Sequence, residues 1–149
     1  MTDDNLPPGY ARSTMPDGEF AAMIGPLFTR PSGSGPCFAF RAASKHTNAR
    51  GVVHGGVLMS FADQVLGLTV QRAVGTVHVA TVSLNCDFVA SVQPGDLVEG
   101  WAEIARITRR LVFVKGVLSC GPTILMNASG LWARIKSAGP TSGDAEVKQ

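Results

Sequence analysis

The sequence predicts an α+β domain in which an antiparallel β-sheet wraps around one long central α-helix. Three observations carry that expectation. From Val57 to Val70 the only strongly polar side chains are Asp63 and Gln64, and a helix apolar nearly all round is buried on most of its surface. From Thr81 to Phe88 the odd positions (Thr81, Ser83, Asn85, Asp87) are polar and the even ones (Val82, Leu84, Cys86, Phe88) apolar, the period of a strand with one buried face. Three more apolar runs follow on short links, and short links join antiparallel neighbours, because parallel ones need crossovers.

The 149 residues fit one domain able to bury a sizeable core. With 45% hydrophobic and 16% charged residues, the composition is that of a folded globular chain rather than a disordered or disulfide-dense one. The net charge is +2 with the basic residues dispersed, which makes no case for nucleic acid. Cys37, Cys86 and Cys120 are an odd, widely spaced set that reads as reduced core thiols. The acidic, Pro-rich start does not read as a signal peptide, and no apolar run reaches the ~20 residues that cross a bilayer. The expectation is a cytoplasmic protein that binds no membrane.

Residues 1–17 read as a flexible N-terminal arm, 18–136 as the folded domain and 137–149 as a disordered tail. Glu19 to Phe28 places Phe20, Met23, Ile24, Leu27 and Phe28 at helical spacing, with Asp17 as N-cap. The Pro-Ser-Gly-Ser-Gly-Pro stretch at 31–36 breaks regular structure, and Cys37 to Arg41 suits a short strand. The central helix follows from about Gly55. Gln93-Pro94-Gly95-Asp96 is a turn signal. Strands are then expected over 97–107, 111–120 and 123–136, separated by Thr108-Arg109-Arg110 and by Gly121-Pro122. Such a helix is too apolar for one sheet face to cover, so a second copy of the chain is expected to close over it.

Asn48, Gly51, His54, Gly55, Gly56 and Asp63 form the one cluster dense enough in polar and glycine residues to suggest chemistry. The first amides of a helix lack internal acceptors and lie at its positive end. Glycine there admits a ligand close to the backbone, which suits a developing oxyanion. Asp63 stands nine residues after His54. In a regular helix that is ~13.5 Å of rise and roughly half a turn of net rotation. The two side chains therefore cannot meet on one atom within a single chain. If they cooperate, two chains build the site.

Asn48-x-x-Gly51-x-x-His54-Gly55-Gly56 followed by Asp63 resembles the hotdog-fold acyl-CoA thioesterases. The phenylacetate-pathway type is nearest, with the 4-hydroxybenzoyl-CoA thioesterases related. The likeness extends over about residues 37–136, through Pro94-Gly95-Asp96 and Ala128-Ser129-Gly130-Leu131-Trp132. The resemblance implies hydrolysis of an acyl-CoA to the free acid and CoA. It implies no metal and no cofactor beyond the CoA of the substrate. It casts Asp63 as general base or nucleophile, Gly55 as the oxyanion-hole amide, His54 as a positioning group, Asn48 as an orienting partner and Thr81, with Ser83 as alternate, as the residue that helps hold water. It also implies sites shared between subunits of a homodimer, with dimers pairing into tetramers.

Arg109 and Arg110 are candidates for the CoA phosphates, since guanidinium groups suit phosphate. His46 and His78 read as surface or edge residues. Phe20, Phe28, Met59, Phe61 and Phe88 are candidate linings for the acyl group. The rival readings are a hotdog enoyl- or hydroxyacyl-CoA hydratase and a non-catalytic acyl-CoA-binding module.

Overall fold

A computed structural model of the chain describes residues 5–14 and 18–137. It shows a seven-stranded, wholly antiparallel sheet curled around one helix, the hotdog architecture. In chain order the elements are β1 (Ala11–Arg12), α1 (Glu19–Ile24), β2 (Leu27–Arg30), β3 (Cys37–Arg41), α2 (Gly55–Val74), β4 (Val79–Phe88), β5 (Leu97–Ile107), β6 (Leu111–Cys120) and β7 (Thr123–Arg134). The strand order is β1-β2-β3-β5-β6-β7-β4. Helix α2 thus carries the chain from β3, inside the sheet, to β4 at its far edge.

The apolar run forms α2 as expected and continues one turn past Val70. Gly75 ends it in the left-handed region, φ 71°, and its N–H bonds back to the Gln71 carbonyl. One side of α2 lies on the concave sheet face. Phe61, Ala62, Val65, Leu66 and Val70 pack there with Phe38, Phe40, Val98, Val112, Val114 and Met126, all at or near full burial. Phe40 meets Phe61 edge-to-face, with ring centroids 4.8 Å apart.

The short helix is shorter than the periodicity predicts. It stops at Ile24, because Gly25-Pro26 follows and proline cannot continue a helix. Leu27 and Phe28 instead open β2. Gly18 occupies the N-cap position, and Asp17 lies outside the described residues. Ala21 and Ile24 face inward, while Phe20 and Met23 are exposed.

Where the sequence suggests a loose arm, residues 5–14 carry β1 and a buried Tyr10. Tyr10 packs with Phe28, Cys37, Ala39 and Leu97 on the outer face of the sheet. Its hydroxyl donates to Glu99 Oε1, which also accepts from Arg30 at 3.2 Å, and the Arg30 guanidinium stacks 5.2 Å over its ring. Burial, reinforced by the Cys37 and Glu99 contacts, drives the phenol's pKa upward and keeps it protonated. Residues 138–149 of the expected tail lie outside the described set. The three cysteines are unpaired. No helix among the described residues is long and apolar enough to cross a membrane.

Gly100 sets how closely α2 approaches the sheet. A Cβ there would fall 2.8 Å from Leu118 Cδ2, 2.9 Å from Val65 Cγ2 and 3.2 Å from Phe61 Cε1. These are close-packed core atoms with little room to yield. Gly100→Ala is therefore expected to destabilise the fold by about 1–3 kcal/mol through overpacking. Urea unfolding checks this: the midpoint should fall while the slope stays unchanged.

Candidate active site

The start of α2 is organised by His54. It is the N-cap residue in extended backbone geometry, and its Nδ1 accepts the Gly56 N–H at 2.8 Å. A neutral imidazole that accepts at Nδ1 carries its proton on Nε2, so the exposed edge of His54 is a donor. The His54 N–H in turn bonds to the His46 carbonyl at 2.8 Å. The Val57 N–H bonds to the His54 carbonyl at 2.9 Å. That leaves the Gly55 N–H with no acceptor among the described residues.

The two glycines have separate steric causes. A Cβ on Gly55 would meet the Phe88 ring at 3.1 Å, and one on Gly56 would meet His54 Nδ1 at 3.0 Å.

Asn48 shapes the loop before the helix. Its Oδ1 accepts from the Arg50 N–H at 2.9 Å in an Asx turn, and its own N–H bonds to the Val52 carbonyl at 2.8 Å. Its side-chain NH₂ has no partner among the described residues. Asn48, Gly55, Phe88 and Val89 line one open cavity of about 350 Å³.

Asp63 stands eight residues along α2 from Gly55, and its Oδ1 accepts from the Thr81 hydroxyl at 2.8 Å. Simple alternation would put Thr81 on the face opposite Leu84 and Cys86. A β-bulge prevents this. Thr81 pairs with Trp132 and Ser83 with Leu131, leaving Val82 as an extra residue. The facing reverses there: Val79, Leu84 and Cys86 pack on the core, Thr81 reaches the helix, and Val82 is exposed. Thr81, not Ser83, holds the carboxylate. Asp63 and Thr81 border a cavity of about 160 Å³ together with Gln64, Gly67, Gln71 and Trp132.

The expected residues therefore fall into two groups within one chain. Asn48, His54 and Gly55 are at the start of α2; Asp63 and Thr81 are two turns along, on other cavity walls. Arg109 and Arg110 are exposed in the β5–β6 link and line neither cavity. Phe61 is fully buried in the core under α2 and Phe28 in the cluster around Tyr10, and neither lines either cavity, whereas Phe88 does face the helix start. Sequence reasoning missed Gln64, Gln71 and Trp132 as site residues; the only signal was the seven-residue spacing of Gln64 and Gln71, two turns apart on one side of α2, and Trp132 on β7 gave none. No group of three or more His, Cys, Asp or Glu side chains placed to hold a metal occurs among the described residues.

His46 is not the surface residue its polar surroundings suggest. It is 4% exposed, with its ring edge-on to Phe40 at 5.3 Å, its Nδ1 accepting the Ala43 N–H at 2.9 Å and its carbonyl holding His54. His78 is exposed, as expected.

A family model described as "Thioesterase superfamily" matches residues 50–126. A curated relative from Pseudomonas aeruginosa, "Putative esterase PA0474", is 28% identical over 130 residues, covering 86% of this chain and 96% of the relative. A mutant of the phenylacetic acid degradation protein PaaI from Thermus thermophilus superposes with a TM-score of 0.70 at 20% identity, over 79% of this chain and 100% of that one. The BH2602 protein from Bacillus halodurans, solved with CoA, superposes with a TM-score of 0.67 at 18% identity, over 74% of each chain. At those identities the two structures speak for the fold.

Burial, with the Lys45 charge adding to it, lowers the His46 pKa against the raising effect of nearby backbone carbonyls. The folded state thus favours neutral His46. Its stabilising contribution is whole above the unfolded value of about 6.5 and is lost as pH falls towards the folded pKa. Tm should decline from pH 7 to pH 5, and His46→Asn should flatten that decline at some cost in Tm at neutral pH. An equally steep curve in the variant would assign the dependence elsewhere.

Proposed function

The chain belongs to the thioesterase superfamily, and on that footing we propose that it hydrolyses acyl-CoA thioesters in a site completed by a second copy of itself. The observation that carries the reading is the Thr81–Asp63 hydrogen bond at 2.8 Å, in the same molecule as an unsatisfied Gly55 N–H. A carboxylate and a free helix-start amide are the two groups thioester hydrolysis needs.

The helix itself argues for two chains. Eight residues put Gly55 and Asp63 ~12 Å apart along a rigid rod, too far to act on one carbonyl. The missing half must come from a neighbour, and β4 is the place for it. Its outer edge has no partner strand among the described residues over ten positions, and Val77, Val82, Phe88 and Val89 on or beside it are exposed. A long apolar edge strand invites pairing with another chain. Such a pairing would bring the helix start of one copy towards the Asp63 of the other. The esterase name of the Pseudomonas relative and the CoA held by the Bacillus protein support the same class of substrate.

In the proposed reaction Thr81 donates to Oδ1 and fixes the carboxylate, leaving Oδ2 to take a proton from water. The water oxygen bonds to the thioester carbon, and the carbonyl electrons move onto oxygen, where the Gly55 N–H stabilises them. The carbon–oxygen double bond then re-forms and the carbon–sulfur bond breaks. The sulfur leaves with the proton as the CoA thiol. His54 Nε2–H and the Asn48 NH₂ are donors available to the substrate from the same side as Gly55. Arg109 and Arg110, exposed and without carboxylate partners among the described residues, are offered as contacts for the CoA phosphates.

Asp63→Asn should lower kcat for acyl-CoA hydrolysis at least a hundredfold, read as free thiol release. Thr81→Val should cost about tenfold, mainly in kcat. Near-wild-type turnover by Asp63→Asn would remove the carboxylate from its role. Subunit mixing tests the shared site separately. Gly55→Pro deletes the amide proton at a helix position that accepts proline, and Gly55→Ala, which sets the same Cβ against the Phe88 ring but keeps the N–H, controls for that contact. Mixed with inactive Asp63→Ala, the proline variant should recover about one quarter of wild-type activity, since half the dimers are hybrid and each holds one intact site. No recovery despite proven subunit exchange would exclude a site built this way.

A further inference from the structure

The small cavity beside Asp63 has three features that packing does not explain. Gly67 stands inside α2, where glycine costs stability relative to alanine. A Cβ at that position would meet Trp132 Nε1 at 3.4 Å, an ordinary van der Waals contact, so the fold has room for alanine. Secondly, Trp132 is 2% exposed, and a buried indole N–H usually finds an acceptor. This one has none among the described residues. His46 Nε2 is the sole sealed and unpartnered side-chain nitrogen or oxygen there, so the Trp132 N–H opens onto the cavity that Trp132 lines. Thirdly, the side-chain amides of Gln64 and Gln71 border the same space without a hydrogen bond among the described residues.

The cavity measures about 160 Å³ and is open, sharing Gln64, Leu68 and Gln71 with a wider one of about 780 Å³, so the size limit applies to the part beside Gly67 and Trp132. An engineered cavity of about 150 Å³ in another protein admits benzene, but that one is lined by aliphatic and aromatic side chains alone. Here the space suits one six-membered ring, while its walls carry unused donors. A purely hydrocarbon group would leave those donors desolvated and unpaired, which is costly.

We infer that Gly67 and Trp132 determine acyl specificity: Gly67 leaves space for a group the size of one ring, and the Trp132 indole N–H, aided by the Gln71 amide, binds a hydrogen-bond acceptor carried on it. The inference rests on the thioesterase reading for its identification of the bound group as an acyl moiety. The thioester carbon then lies at the Asp63–Thr81 wall and the polar substituent at the Trp132 wall. Both residues act on selectivity and not on the chemical step.

Three substrates and two variants test this. Trp132→Phe keeps a ring and removes the donor. It should lower kcat/KM for 4-hydroxybenzoyl-CoA roughly tenfold relative to benzoyl-CoA. Gly67→Ala should lower both aryl substrates roughly tenfold relative to acetyl-CoA, with Tm held or raised. Ratios unchanged in both variants overturn the assignment. If the wild-type protein hydrolyses none of the three and no straight-chain C4 to C12 acyl-CoA either, the proposed function is what fails, and a titration decides the pocket. In that case the indole N–H resonance of Trp132, identified by its loss in Trp132→Phe, is followed while benzamide or 4-hydroxybenzamide is added. A larger shift with the hydroxylated amide supports the pocket, and an unmoved resonance overturns it.

Discussion

A single rigid helix imposes the constraint on which the rest of this structure depends. Twenty residues of α2 lie on the concave face of the sheet, held by side chains that are almost wholly buried. Gly55 and Asp63 are therefore fixed on one rod, eight residues apart. No side-chain rotation closes a gap of ~12 Å along the axis. The same rod delivers the chain to the far edge of the sheet, where β4 is left with one side unpaired. Separation of the two chemical groups and exposure of an edge strand are thus two results of one topology. Under the proposed function each supplies what the other lacks: a reaction that used both groups would need a second copy, and the open edge would offer it a place.

Within that frame, local irregularities do the positioning. Thr81 reaches Asp63 because the bulge at Val82 reverses the facing of β4 for its first turn of pleat. An unbroken strand would present Thr81 to solvent and leave the carboxylate without this donor. The segment leaving β4 then crosses the start of α2, where Val53 N–H bonds to the Val92 carbonyl at 2.9 Å. Phe88 is carried onto Gly55 by that crossing. Both cavities are consequently bordered by β4 or its exit, one at each end.

The architecture was legible because it depends on periodicity and link length, both of which are local. The apolar stretch before Val70 can only be a buried helix, and the links after residues 107 and 120 are too short for anything but antiparallel pairing. Failures came where one residue or a distant neighbour decides. Pro26 cuts α1 short although the apolar spacing runs on through Phe28. The bulge is invisible to a period-two count, which assumes no inserted residue. His46 sits in a polar loop in sequence yet is sealed against Phe40 in space. The resemblance alone singled out Thr81, and as a residue that helps hold water; its bond to Asp63 was not legible, and alternation would have argued against it.

The His-Gly-Gly step reads from sequence as an electronic device, glycine admitting a ligand to the positive end of a helix. The contacts give it a steric origin. A Cβ on Gly56 would crowd the His54 imidazole that folds back over it as a cap, and one on Gly55 would crowd the Phe88 ring that lies against it. The cap consumes the Gly56 N–H, and the helix consumes that of Val57. One amide is left over, that of Gly55, next in sequence to the capping residue. The reactive-looking feature is therefore what remains once capping and packing have been satisfied. In the proposed reaction that same fact would give selectivity: a helix start with several free amides would accept many anions, whereas a single N–H beside the Phe88 ring would favour one carbonyl oxygen.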